Sequence, residues 1–226
     1  MAFVDTASSA TAPRLLRETV YEQLRADMIS CKLAPGTEIR EAELAARFDM
    51  SKSPVRDALM RLEREGLVIT SPRQGYRVAP VSLTDMLDMF HLRAALERAC
   101  VERIALHASD EQLNELNVFR LFDAGAWDGG FIEYNRSFHR RLAVLGGNVR
   151  MRDQLMDLID LMERAVHMSL SNTKKGDPQP LVQEHSMLID ALQARAVKRA
   201  QRICEQHIID AGKRFSNAIS KSLIAG

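Results

Sequence analysis

Apolar residues recur at helical spacing near the start of the chain. Residues 14–31 place an apolar side chain at every fourth position, which predicts a first helix with one buried face. These apolar positions are Val20, Leu24 and Met28. A Pro35-Gly36 turn signal ends the pattern, and residues 41–48 predict a short second helix. A third helix is expected after a tight connection at residues 49–51.

The third predicted helix combines an apolar stripe with a polar first turn. The stripe, whose members share one helix face, consists of Val55, Ala58, Leu59 and Leu62. The groups near its start that can contact a phosphate or a base edge are Ser51, Lys52, Ser53 and Arg56. Ser51 or Ser53 can also cap the free N–H groups, and Pro54 is tolerated in a first turn. These residues therefore fit either a DNA-reading helix or a well-capped helix with a solvated face.

Two short β-prone runs follow the third helix. Gly66 is expected to end that helix, and residues 67–70 and 76–79 flank a Pro-Arg-Gln-Gly turn, which predicts a small hairpin. Three helices, a tight turn between the second and third, and a hairpin make a winged helix-turn-helix. In that fold the third helix presents its N-terminal residues to the major groove. The order of the elements therefore favours DNA binding, whereas charge does little to separate the two interpretations.

Residues 14–80 resemble the DNA-binding domain of GntR-type bacterial transcription regulators. The resemblance rests on PGTEIREAELAARF, on SKSPVRDAL followed by RLEREGL, and on QGYRVAPVS. It implies a homodimer that reads a pseudo-palindromic operator in double-stranded DNA. The residues implied to face the DNA, with the last two in the wing, are Arg40, Ser51, Lys52, Ser53, Arg56, Arg73 and Gly75. Many relatives carry arginine in place of Ala42 and Lys52, and threonine in place of Ser53, so we expect a different operator sequence.

Long helical patterns predominate after Pro80. We expect helices near residues 84–107, 109–124, 129–145, 149–171, 179–194 and 196–222. Six helices in this stretch predict a second, all-α domain. The fold class is thus mainly α, with a winged helix-turn-helix and a six-helix bundle. The expected divisions are a disordered start at 1–13, a DNA-binding domain at 14–80 and an effector-binding domain at 81–226.

Three segments of the second domain resemble the FCD effector-binding domain of the FadR subfamily. They are LRAALE at 92–97, NRSFHRRLAVLGGN at 135–148 and EHSMLIDAL at 184–192. The length suits the six-helix branch better than the seven-helix, acyl-CoA-binding branch. The resemblance implies dimerisation through this domain and a small carboxylate effector.

Histidines are concentrated in the second domain. Asn135 and His139 lie at i and i+4 and so share a helix face, while His185 and His207 belong to two later helices. Spacing this sparse fits structural or exposed histidines better than a metal site. The FCD resemblance, however, implies that these four residues bind a divalent metal, and three imidazoles with one oxygen favour zinc, with nickel or manganese as alternatives. We assign no role to the remaining histidines, although His167 could border the same cavity.

Arg93 matches the FCD arginine that meets an acid, and Arg164 is a weaker candidate for the same role. An i,i+4 pair between Arg93 and Glu97 is an equally good interpretation. We expect a transcription regulator, more often a repressor than an activator in this family, that responds to a small organic acid. The alternatives are a metal-sensing regulator, a purely structural metal and a metal-dependent hydrolase. No H-E-x-x-H motif or Ser-His-Asp arrangement is present, so we do not expect an enzyme.

Composition narrows the setting in which the chain works. The 226 residues are 46% hydrophobic and 27% charged, as in ordinary globular proteins, and the net charge of +1 requires any anionic partner to bind a local patch. Three isolated cysteines, Cys31, Cys100 and Cys204, argue against a disulfide framework. Neither a signal peptide nor a long apolar run is apparent, so we expect a cytosolic protein without membrane contact.

Overall fold

The computed structural model describes residues 11–71, 75–171 and 177–225. The chain divides into two compact units between Val81 and Ser82. Helices make up most of both units, which confirms the mainly α fold class. Within these described ranges, no helix combines the length and the apolar character needed to cross a lipid bilayer.

The first unit contains three helices and a small antiparallel sheet. Its elements are α1 (Thr11–Ile29), β1 (Glu38–Ile39), α2 (Glu41–Arg47), α3 (Lys52–Arg64), β2 (Val68–Ser71) and β3 (Gly75–Val78). The strands lie in the order β1-β3-β2. The apolar faces predicted for α1 and α3 are buried and form part of the core of this unit, together with apolar residues of α2 and the sheet. The winged helix-turn-helix is therefore confirmed.

Three details of the first unit differ from the sequence predictions. Helix α1 begins at Thr11, so the expected disordered start extends too far, while residues 1–10 lie outside the described part. Strand β1 was not predicted, because two residues are too few for a periodic signal and the strand exists only through pairing with β3. Ser51 takes the N-cap position of α3, but its hydroxyl makes no capping hydrogen bond, and Ser53 lies inside the helix.

The second unit is a bundle of six α-helices and one short 3₁₀ helix within the described ranges. The helices are α4 (Leu83–His107), α5 (Asp110–Asn114), α6 (Gly130–Leu145), α7 (Val149–Ser171), α8 (Gln179–Gln193) and α9 (Val197–Ala225), and the 3₁₀ helix spans Glu115–Phe119. Buried side chains from α4, α6, α8 and α9 form its main core. Five of the six helices lie close to their predicted positions.

The helix predicted at 109–124 is wrong in length and type. A capping box at Ser109 starts α5, but the helix tightens into the 3₁₀ turn and ends at Phe119. Tyr134 donates its hydroxyl proton to the Phe119 carbonyl over 2.7 Å, and the Phe119 ring stacks on Trp127. Residues 120–124 therefore do not continue the helix as periodicity suggested, and the contacts of Phe119 with Trp127 and Tyr134 fix the chain at this point instead.

Candidate metal centre and nucleic-acid interface

Three helices of the bundle each bring one buried histidine to the same place. His139 lies on α6, His185 on α8 and His207 on α9, and one ligand nitrogen of each lies within 4.8 Å of the others. All three side chains are almost inaccessible to solvent. The FCD resemblance predicted that these histidines would come together, whereas their separations in the sequence alone did not indicate a cluster.

The Nδ1 atom of each histidine has a hydrogen-bond partner. His139 Nδ1 lies 2.8 Å from Glu97 Oε2, and His207 Nδ1 contacts Glu184 Oε2. His185 Nδ1 lies 3.2 Å from the hydroxyl of Tyr134. Such partners fix the ring orientation of metal-binding histidines in many proteins.

These partners determine which nitrogen of each ring carries the proton. A carboxylate only accepts, so His139 and His207 donate from Nδ1. The hydroxyl proton of Tyr134 goes to the carbonyl of Phe119, and burial raises the pKa of Tyr134 to about 12, so its oxygen accepts from His185. In the neutral form of each ring, Nε2 therefore keeps a lone pair.

The three histidines could hold one metal ion, since each offers a ligand nitrogen within 4.8 Å of the others. His139 Nε2 and His207 Nε2 are 3.3 Å apart, and His185 Nε2 is buried with no hydrogen-bond partner. Metal–nitrogen bonds of about 2.0–2.1 Å in tetrahedral geometry separate neighbouring nitrogens by about 3.3–3.4 Å. A cation at this point would satisfy the His185 nitrogen, which is otherwise a costly buried acceptor.

Electrostatics also favour neutral, metal-ready imidazoles. Burial, followed by the positive charge of Arg93, lowers the pKa of His139 to about 4. Burial lowers the pKa of His185 well below its usual value, and the charges of Arg93 and Arg214 act in the same direction. Because neutral imidazole is the form that binds metals, no proton has to be removed from these rings at neutral pH.

Asn135, the fourth predicted ligand, lies one helical turn before His139. Its side chain is half-buried on α6. An amide oxygen is a weaker ligand than a carboxylate, because it adds no charge attraction. Its role as a ligand stays a prediction.

Arg93 and Glu97 form the predicted i,i+4 pair inside the bundle. Arg93 Nε donates to Glu97 Oε1 over 2.7 Å, and the other oxygen of Glu97 receives His139. Burial alone would raise the pKa of Glu97, but His139 and Arg93 together lower it, so Glu97 is ionised. Arg93 Nη2 is buried without a hydrogen-bond partner. The pair therefore leaves one guanidinium donor of Arg93 for another acceptor.

Arg164 and three further histidines were also considered from the sequence. Arg164 is buried on α7, where its role as an effector ligand is still a prediction. His167 is half-buried, with Nε2 3.5 Å from Glu163 Oε1, and His91 and His107 are exposed. Sequence reasoning missed Glu184 and Tyr134 as partners of the histidines, because both contacts join different helices and no sequence spacing indicates them.

The predicted recognition residues lie on the exposed surface at the start of α3. Ser51, Lys52 and Ser53 are exposed, and the Ser51 hydroxyl is not used for capping. Arg56 is also exposed, and its guanidinium is bound by Glu41 of α2. Arg40, at the N-cap of α2, has a side chain that is 64% exposed.

The wing contains the last two predicted DNA contacts. A Cβ at Gly75 would lie 2.9 Å from the backbone oxygen of Ile39, and its φ of +97° favours glycine, so β1 explains this residue without DNA. Arg73 lies outside the described residues. Both assignments to the DNA interface stay predictions.

Comparison with known families decides whether α3 is a DNA-reading helix or only a well-capped helix with a solvated face. Residues 16–78 match the bacterial regulatory proteins of the gntR family, and residues 88–210 match the FCD domain. The chain belongs to the GntR family. This GntR protein is therefore a DNA-binding transcription regulator, and the metal-dependent hydrolase alternative is set aside because the family and its named relatives are regulators.

Named relatives of this GntR protein extend over nearly the whole chain. The HTH-type transcriptional repressor RspR of Escherichia coli (strain K12) is 28% identical over 209 residues, which cover 91% of this chain and 90% of the relative. The HTH-type transcriptional repressor GlaR of the same strain is 27% identical over 210 residues, covering 84% of this chain and 90% of the relative.

Solved structures support the same fold for this GntR protein. E. coli McbR/YncC has a TM-score of 0.73 at 20% identity and covers 92% of this chain and 98% of its own. A GntR transcriptional regulator from Rhodococcus sp. RHA1 has a TM-score of 0.74 at 21% identity, covering 89% and 97%. At these identities the similarity concerns the fold alone.

Proposed function

We propose that this regulator is a repressor whose operator affinity is controlled by a small organic acid bound beside a divalent metal. It would act in the cytosol. It would bind DNA as a homodimer, because two recognition helices related by a two-fold axis suit a pseudo-palindromic operator. Repression is favoured by two relatives named as repressors, RspR and GlaR of Escherichia coli.

The proposal of an organic-acid effector rests on the position of Arg93 close to the three buried histidines. One ligand nitrogen of each of the three histidines lies within 4.8 Å of the others. Arg93 Nη2 is buried without a hydrogen-bond partner, and the charge of Arg93 lowers the pKa of His139 and His185. His139, His185 and His207 would hold the metal, with Asn135 as the oxygen ligand, and the metal would supply positive charge that attracts a carboxylate. The Arg93 Nη2 donor would bind the same acid and satisfy its own hydrogen-bonding requirement.

Two other roles for a metal remain as alternatives to the acid sensor. The ion itself could be the signal, or it could be structural while another input controls DNA binding. Operator binding by metal-free and metal-loaded full chain, each with and without a panel of organic acids, separates these roles. An acid sensor requires the acid to change operator affinity at constant metal content. A metal sensor responds to the metal alone, and a structural metal produces neither response.

Arg56→Ala should weaken operator binding by about tenfold or more at physiological salt, because it removes an exposed guanidinium from the recognition helix. The measurement is a fluorescence anisotropy titration with a duplex selected from a random library by the full chain. Arg64→Ala is the matched control, because Arg64 is an exposed arginine at the other end of α3. Equal affinities for Arg56→Ala and the wild type would remove Arg56 from the interface.

A further inference from the structure

An exposed ion pair joins the two helices of the helix-turn-helix. Arg56 Nε donates to Glu41 Oε1 over 2.9 Å, and Arg56 Nη2 donates to Glu41 Oε2 over 2.8 Å. The side chain of Arg56 is 57% exposed, whereas that of Glu41 is 20% exposed. Single surface ion pairs usually contribute little, but bidentate arginine–carboxylate geometry fixes the guanidinium plane.

The edge of Arg56 that Glu41 occupies determines which donors are left. A guanidinium has one edge formed by Nε and one terminal nitrogen, and another edge formed by the two terminal nitrogens. Glu41 uses the first edge, so the second keeps its two parallel N–H donors. Two parallel donors are what the O6 and N7 acceptors of guanine require in the major groove.

The carboxylate of Glu41 is also unexpected on a surface that binds a polyanion. It is the first residue of α2, where the partial positive charge of the helix end favours an anion. The hydrogen bond from Arg56 lowers the pKa of Glu41, and the charge of Lys52 acts in the same direction. Glu41 is therefore ionised beside two residues predicted to contact DNA, where it weakens attraction to phosphates in any sequence.

We infer that Glu41 is a specificity-determining residue that positions the Arg56 guanidinium for base recognition at the expense of sequence-independent affinity. This inference rests on the assignment of the chain as a DNA-binding regulator and needs neither metal nor effector. Holding the guanidinium in one plane removes rotamers that could otherwise bind phosphates, and the negative charge disfavours complexes in which no base contact compensates for it.

Two substitutions of Glu41 distinguish the effect of its negative charge from the effect of its side-chain length. Both are measured in the full chain with two duplexes, one selected from a random library by the wild type and one of shuffled sequence. Glu41→Gln should strengthen binding to the shuffled duplex and lower the ratio of selected to shuffled affinity by about five- to tenfold. Glu41→Asp keeps the charge but is one methylene shorter, so it should lower the ratio similarly without strengthening shuffled binding.

A matched control and a second background complete the test. Asp49→Asn removes one negative charge at the connection to α3, where asparagine tolerates the positive φ of 51°, and it should leave the ratio unchanged. In an Arg56→Ala background, Glu41→Gln should no longer change the ratio, because there is no guanidinium to position. An unchanged ratio in Glu41→Asp and Glu41→Gln, or the same decrease without Arg56, overturns the inference. Thermal unfolding of each variant confirms that the fold is intact.

Discussion

Alanine at any one of His139, His185 or His207 should leave the purified protein with only a small fraction of the metal carried by the wild type. We expect up to one divalent ion per chain in the wild type. Loss of an outer-shell partner typically costs about 10–100-fold in metal affinity, so removal of a direct ligand should cost more. The measurement is elemental analysis after dialysis against a weak chelator at fixed free zinc.

The structure supplies graded controls for this metal prediction. His91→Ala removes an exposed imidazole on α4 and should leave the metal content unchanged. Glu184→Gln keeps an acceptor for His207 but removes the negative charge, so it should weaken metal binding within the outer-shell range. Full occupancy in all three alanine variants would rule out the histidine cluster as the site.

Thermal stability gives an independent readout of the same site. A metal that binds only the folded state stabilises it by about 2.7 kcal/mol at a free concentration one hundred times Kd. Chelation should therefore lower the melting temperature of the wild type but not that of His185→Ala. A metal held elsewhere in the chain would produce the same decrease in both proteins.

Helical periodicity predicted the long helices because their buried faces repeat within one segment. The spacing of Val20, Leu24 and Met28 in α1 is such a local signal, and all three side chains are buried. The end of the helix predicted at 109–124 depended instead on contacts between Phe119 and aromatic residues further along the chain. Tertiary packing of this kind leaves no periodic trace in the sequence.

In the candidate sites, too, contacts within one helix could be predicted from the sequence, whereas contacts between helices could not. Arg93 and Glu97 are four residues apart on one helix, so their pair could be predicted, and it forms. Glu184 lies beside His185 in sequence but contacts His207 on another helix. The pairing of Arg56 with Glu41 likewise depends on the angle between α2 and α3, which the sequence does not specify.

Arg93→Lys should abolish the response to an organic acid while leaving metal content near that of the wild type. Lysine keeps a positive charge beside Glu97 but loses the second arm of the guanidinium, which is the donor left for an acid. Arg93→Ala is a poorer variant, because it removes the cation that pairs with the buried Glu97. Breaking a buried pair in this way typically costs about 3–5 kcal/mol and would disturb His139 as well.

The measurement combines stability and operator binding in the full chain. Metal-loaded protein is screened against sugar acids, hydroxy acids, dicarboxylates and aromatic acids, and a ligand should raise the melting temperature and change operator affinity. Linkage requires operator DNA to change the affinity for the acid by the same factor, typically about 5- to 150-fold. Arg98→Lys is the matched control, because Arg98 lies on the same helix in an exposed pair with Glu205. If no acid binds while adding or removing the metal alone switches operator affinity, the protein is a metal sensor, and Arg93 serves only to hold Glu97.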